Sequence, residues 1–195
     1  MKTVQLDPTK NLAQLIQFFS SLDERHLNQV INCFKPRTLK KNEILVAAGD
    51  ICKEFYFIHS GCIRTYFITK QGHEKTRYIM MEPSIGTALT SFISQKPSFE
   101  FVDALEKTEL LFITHHDFFR LTAEVPEWKN FYLKIMEMAY SFQNRKIESL
   151  VTLSAKERYA QLISENPKIV QRLSNKVVAS YLDIKQETLS RLKSF

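Results

Sequence analysis

The chain is short of glycine and cysteine and has no long apolar run. Four glycines in 195 residues leave little room for a glycine-rich loop that cradles phosphates with backbone amides. The three cysteines, Cys33, Cys52 and Cys62, have neither an even count nor metal-ligand spacing. They argue against a disulfide framework and against an iron–sulfur centre held by several thiolates, and they suit reduced thiols in a cytosol. No apolar stretch approaches the roughly 20 residues that a bilayer crossing takes. The opening MKTVQLDPTKN lacks the apolar core of a signal peptide. The expectation is a cytoplasmic protein with no membrane partner. No nucleophile stands beside a base and no carboxylates pair in a plausible cleft, so no enzyme is expected. His115-His116 has no third ligand near it in sequence. It reads as a polar turn before a helix at Asp117, with no metal site. His59 and His73 fall in or beside turns and read as surface residues.

What is present describes a globular protein. Hydrophobic residues make up 44% and charged residues 25%, which is neither disordered nor fibrous. Lys and Arg number 27 against 21 Asp and Glu, a net charge of +6. That excess suits an anionic partner such as nucleic acid, and it also suits an ordinary solvated surface.

Periodicity divides the chain into three. Residues 8–33 carry Leu12, Leu15, Ile16 and Phe19 at helical spacing, and Asp23 is placed to cap a second helix with Leu27, Val30 and Ile31. From about Pro36 to Ile113, β-forming runs (EILVAAGD, EFYFIHSG, CIRTYFI, TRYIMME, FEFVDAL, ELLFI) alternate with turns at Gly49-Asp50, Ser60-Gly61 and Gln71-Gly72. Many short strands at near-regular spacing predict a sandwich or barrel, with Phe55, Tyr56, Phe57, Tyr66, Phe67 and Tyr78 as core. SIGTALTSFIS, 84–94, reads as a small helical turn between strands. The helical period then returns. Trp128, Phe131, Ile135, Met138 and Phe142 recur at three- and four-residue steps within 127–150. That stripe fits either packing on the chain's own barrel or a coiled-coil seam, and its length and bulk favour a dimer seam. Ser154 and Glu157 form a capping-box pattern for a helix that Asn166-Pro167 ends.

The ending VVASYLDIKQETLSRLKSF, 177–195, reads as helix, turn, helix. Ala179 is small enough to let a second helix cross closely. Asp183 stands where a left-handed residue is needed, and Ile184, Leu189 and Leu192 face inward. At about 100° per residue, Gln186, Glu187, Ser190, Arg191 and Ser194 share the opposite face. Such a face can lie in a DNA major groove, with Arg191 suited to guanine and Glu187 to a cytosine amino group. Lys176, Lys185 and Thr188 are better placed for phosphate. A plain solvated helix explains the polarity but not the small residue, the turn residue and the inward trio together.

With these parts in this order the chain resembles the Crp/Fnr superfamily of bacterial regulators. KQETLSRL is similar to that family's recognition helix at Glu187, Thr188, Leu189, Ser190 and Arg191. FKPRTLKKNEILVAAGD and EFYFIHSGCIRTYF are similar to the opening strands of its cyclic-nucleotide-binding-type β-roll. The resemblance implies an α+β fold: a jelly-roll sensor domain over 1–125, a long dimerisation helix over 126–150, and a helix-turn-helix DNA-binding domain over 151–195. It implies a homodimer bound to double-stranded DNA, with RNA polymerase as a further partner. The rival from another class is a β-roll sensor or scaffold whose helical tail binds a protein.

The middle departs from the family's pattern. Cyclic-nucleotide binders carry Gly-Glu-Leu near a pocket helix and Arg-Ser or Arg-Thr before the next strand, where Glu holds the ribose and Arg neutralises the phosphate. Here the first segment reads Ile85-Gly86-Thr87-Ala88 and the second Pro97-Ser98-Phe99-Glu100. Ser98 stands at the arginine's place and Glu100 would repel a phosphate. The expectation is no cofactor and no ordinary cyclic AMP binding, with any small-molecule effector unidentified and Arg64 or Arg77 the reserve cations. The oxygen-sensing branch's cysteine cluster is absent from the sequence. Pro167–Ser174 leaves little room for the β-hairpin wing of many relatives.

Overall fold

The computed structural model describes residues 7–194. The chain opens with two helices, α1 (Pro8–Phe19) and α2 (Glu24–Ile31). Asp7 and Asp23 cap them, each accepting from a backbone amide two or three residues on. Eight strands follow: β1 (Lys35–Leu39), β2 (Ile44–Val46), β3 (Glu54–Ser60), β4 (Cys62–Ile68), β5 (Glu74–Met81), β6 (Ser84–Gly86), β7 (Phe101–Ala104) and β8 (Thr108–Thr114). A short helix, α3 (Leu89–Ser94), lies between β6 and β7. Then come α4 (His115–Glu124), α5 (Pro126–Thr152), α6 (Ala155–Glu165), α7 (Pro167–Arg172), α8 (Asn175–Leu182) and α9 (Gln186–Lys193).

The strands form two four-stranded antiparallel sheets, ordered β1-β8-β3-β6 and β2-β7-β4-β5. Strand β3 shows why helices must flank this roll. Phe55, Tyr56, Phe57 and Ile58 are all buried, so both of its faces need cover. One face meets the other sheet. Helices α1 and α4 lie against β3 on the other. The β3–β4 turn depends on Gly61, at φ +95°, where a Cβ would come within 2.6 Å of the Lys107 carbonyl.

Residues 84–94 are more than a helical turn. Ser84–Gly86 pairs with β3 as a strand before α3 begins. Helix α4 starts at His115 rather than Asp117, with Thr114 as cap accepting from the Asp117 amide. His115 packs edge-on against Phe92 and tilted on Phe119, and burial pulls its pKa below the usual imidazole value. His59 is half-buried rather than a surface residue, in hydrogen-bond contact with Asn11 at 3.3 Å.

Among the described residues no helix is long and apolar enough to cross a membrane, and no three His, Cys, Asp or Glu side chains cluster as metal ligands would.

Candidate nucleic-acid interface

Helix α8 is capped at its start by Ser174, whose Oγ accepts from the Val177 amide. Its end turns at Asp183, which takes the left-handed conformation at φ 54°, ψ 47°. The Ile184 amide reaches back to the Ala179 carbonyl at 3.0 Å, the six-to-one bond of a Schellman close. The chain thereby reverses into α9. Ala179, Leu182 and Leu189 are buried where the two helices cross, Leu189 completely. Lys193 Nζ donates to Asn175 Oδ1 at 2.6 Å and ties the far end of α9 to the start of α8.

That packing fixes which side of α9 faces water. Gln186, Glu187, Ser190, Arg191 and Ser194 are exposed, while Thr188 and Leu192 are half-buried. Lys185, exposed, is the residue before α9 and supplies no side-chain cap. Neither Lys185 nor Arg191 makes an ion pair among the described residues, so both ends of this polar row carry available cations. Lys176 differs. It lies in the first turn of α8 and pairs with Glu74 of β5 at 2.7 Å. Pro167–Ser174, too short for a hairpin wing, holds α7, which buries Ile169 beneath α8.

A cleft of about 670 Å³ separates the roll from α5. Ile85, Gly86 and Thr87 line it, with Arg77 and Glu100. Ala88 and Ser98 are buried and do not line it, and the Ser98 hydroxyl donates to the Glu100 carbonyl, two residues on, at 2.9 Å. Phe99 instead points outward, 58% exposed. Of the two reserve cations, Arg77 lies in the cleft, already paired with the buried Glu100 carboxylate. Arg64 does not. It is buried on β4, donating to Asp103 at 2.8 Å and 3.0 Å, pairing with Glu74 at 2.8 Å, and stacking over Tyr66. Burial opposes its charge, but Asp103 and Glu74 outweigh burial and hold its pKa above the ordinary value.

The cleft's arginine is neutralised by a carboxylate, which would itself repel a phosphate.

The expected dimer seam needs correction. Trp128, Phe131 and Ile135 are buried in their own protomer's core, where Trp128 Nε1 donates to the Phe118 carbonyl at 3.1 Å. Phe142 packs on Tyr78 of β5, ring centroids 4.4 Å apart. Of the five, Met138 alone is substantially exposed, beside the cleft. This stripe is the helix's inner face. Besides Met138, the exposed apolar residues of α5 are Leu133, Tyr140, Ile147, Leu150 and Val151. The first three stand seven residues apart, the spacing of a coiled-coil position.

Comparison with known proteins agrees with this arrangement. A family model described as the cyclic nucleotide-binding domain matches residues 36–124. The fumarate and nitrate reduction regulatory protein of Vibrio cholerae serotype O1 is 30% identical over 186 residues, covering 89% of this chain and 71% of that protein. Its Escherichia coli K12 counterpart is 28% identical, covering 88% and 73%. Among solved structures, FixK2 from Bradyrhizobium japonicum superposes with a TM-score of 0.72 at 14% identity, covering 83% of each chain. A Crp/Fnr-family regulator from Eubacterium rectale reaches 0.70 at 20%, covering 88% and 82%. With a β-roll, a long connecting helix, a helix-turn-helix and this degree of likeness, the chain belongs to the Crp/Fnr superfamily of DNA-binding transcriptional regulators.

Proposed function

We propose that two copies of this chain pair along the outer face of α5 and present their α9 helices to successive major grooves of a near-palindromic duplex site. In each half-site Arg191 reads a guanine, and Gln186, Glu187 and Ser190 contact neighbouring base edges. Lys185 and Thr188 meet phosphate, with Lys176 joining them at the start of α8. The observation that carries this reading is the exposed row Gln186, Glu187, Ser190, Arg191 on a helix held rigid from behind by Leu189.

Leu133, Tyr140, Ile147 and Val151 supply an unfilled apolar stripe for the dimer, and regulators of this family act as dimers. The roll transmits whatever signal the protein takes by shifting the balance between dimer geometries. Cyclic AMP is not that signal, because Arg77 is already neutralised by Glu100, and no cofactor is required. A regulator seated at a promoter meets RNA polymerase there; the family likeness is the support for that partner.

The test is a titration of the purified chain into mixed-sequence duplex at several salt concentrations, followed by selection of bound sites from a random pool. The expected result is a steep linear fall of log affinity with log salt. Selected sites should carry inverted half-sites whose centres lie about one helical turn, roughly 34–36 Å, apart. Absence of duplex binding at low salt contradicts the proposal.

A further inference from the structure

The contact between the roll and the helix-turn-helix is built from ordered opposite charges. Three carboxylates stand on the roll: Glu74 opening β5, Glu82 just past its end, and Glu106 between β7 and β8. Each takes a cation from the C-terminal helices. Glu74 accepts from Lys176 through one oxygen and faces Arg64 with the other, at 2.7 Å and 2.8 Å. Arg172 bridges Glu82 and Glu106. In the reverse sense, Lys75 of β5 pairs with Asp183 of the turn. Between these pairs the Thr76 amide donates to Ser180 Oγ at 2.8 Å, and that hydroxyl donates to the Glu74 carbonyl at 2.9 Å.

In the apolar part of the contact, Cys62, Ile79, Met81 and Leu105 of the roll share one cluster with residues of the C-terminal helices, Ile169, Leu173 and Val177 among them. Clefts of about 900 Å³ and 370 Å³ flank it. Partly solvated ion pairs border this cluster, and open space flanks them, so the polar rim of the contact costs little to break.

Lys176 has two claims on it. The first helix of a helix-turn-helix crosses the DNA backbone, and the ammonium at its start is then a phosphate ligand. A carboxylate and a phosphate offer an ammonium the same thing, anionic oxygens at hydrogen-bond distance. Both cannot hold Lys176 in the same place. Three carboxylates beside the DNA backbone would also repel it.

We propose that the carboxylate row Glu74, Glu82 and Glu106 is a docking surface for the chain's own helix-turn-helix. It stands in for DNA phosphate by occupying Lys176, with Arg172 as a second anchor of the docked state, so that docking on the roll and duplex binding exclude each other. The inference rests on the DNA-binding reading above and adds its control. Any molecule that binds the undocked roll more tightly than the docked one raises DNA affinity, and DNA raises that molecule's affinity by the same factor.

The experiment locks the contact reversibly. Thr76 Oγ1 and Ser180 Oγ lie 3.1 Å apart, so Thr76→Cys with Ser180→Cys places two thiols within disulfide reach across it. Duplex affinity is measured on the full-length double variant, oxidised and then reduced, with crosslinking verified by mass. The oxidised form should bind at least about tenfold more weakly, as when the competent state falls to a tenth or less, and reduction should restore binding. Equal affinity in both forms overturns the exclusion. Binding by neither form overturns the DNA-binding reading on which it rests. Failure of the crosslink to form in the folded protein overturns the docked contact.

A second arm needs no crosslink. Glu82→Gln with Glu106→Gln frees Arg172 and should raise duplex affinity at fixed salt by roughly threefold or more, a modest population shift. Glu43→Gln with Glu109→Gln removes the same charge away from the contact and should raise it less. Equal gains from the two pairs would reduce the effect to net charge and overturn the proposal.

Discussion

Trp128 stacks on Phe131 with ring centroids 4.5 Å apart and planes at 21°, and both side chains are buried inside one protomer. The start of α5 is therefore part of the β-roll's core, and only its outer face is left for a partner.

The two faces should separate in mutants. Trp128→Ala removes a fully buried indole and should lower unfolding free energy by about 3–5 kcal/mol in a denaturant titration. Ile147→Glu, at a 59% exposed position, should leave the monomer's fold intact and shift sedimentation toward monomer. A destabilised Ile147→Glu monomer, or a Trp128→Ala protein that only loses its dimer, contradicts this division.

Asp183 makes a local prediction. Its left-handed backbone is tolerable for Asp, comfortable for Gly and strained for a β-branched residue. Asp183→Gly and Asp183→Val both lose the Lys75 partner, so the difference between them isolates the backbone. Thermal unfolding should place the Val variant about 1–2 kcal/mol below the Gly variant. Equal stability would mean that the turn is not held in this conformation.

The cleft beside α5 should ignore cyclic AMP. A ligand at a hundred times its Kd adds about 2.7 kcal/mol of stability. With Arg77 neutralised by Glu100, millimolar cyclic AMP should leave Tm unchanged. A rise of several degrees would show that the pair opens for the phosphate.

The parts of this molecule that were legible in sequence are those with a short-range physical signature. Alternating strands, the caps at Asp23 and Ser154 and the inward trio around Asp183 all rest on residues a few positions apart. The face of α5 was misread because both faces are apolar. Trp128 and Phe131 carry the greater bulk, and bulk goes first to the chain's own core. Arg64 was a candidate effector ligand because an arginine on a strand says nothing of Asp103, thirty-nine positions on, that holds it. The carboxylates facing Arg172 and Lys176 left no trace for the same reason, since their partners lie 66 to 102 residues away.

Those carboxylates give the contact a pH dependence. Burial would raise the pKa values of Glu74 and Glu82, but Lys176 and Arg64 on the first and Arg172 on the second outweigh it and hold both below the usual 4.5. A carboxylate depressed in the fold contributes stability that is complete above its unfolded value and is lost as pH falls through its folded one. The Tm advantage of the natural protein over Glu74→Gln with Glu82→Gln should be steady down to about pH 5 and close below about 4.5. An advantage that grows on acidification contradicts these pairings.

The central claim is that α9 reads DNA bases, and Arg191 tests it most directly. Duplex binding of the natural protein and of Arg191→Ala should be compared across every single-base variant of the selected site. The account predicts a loss of about 1–3 kcal/mol for Arg191→Ala on the best site, with preference relaxed at one base pair of each half-site. An Arg191→Ala protein that keeps full affinity and an unchanged base preference at every position would contradict it.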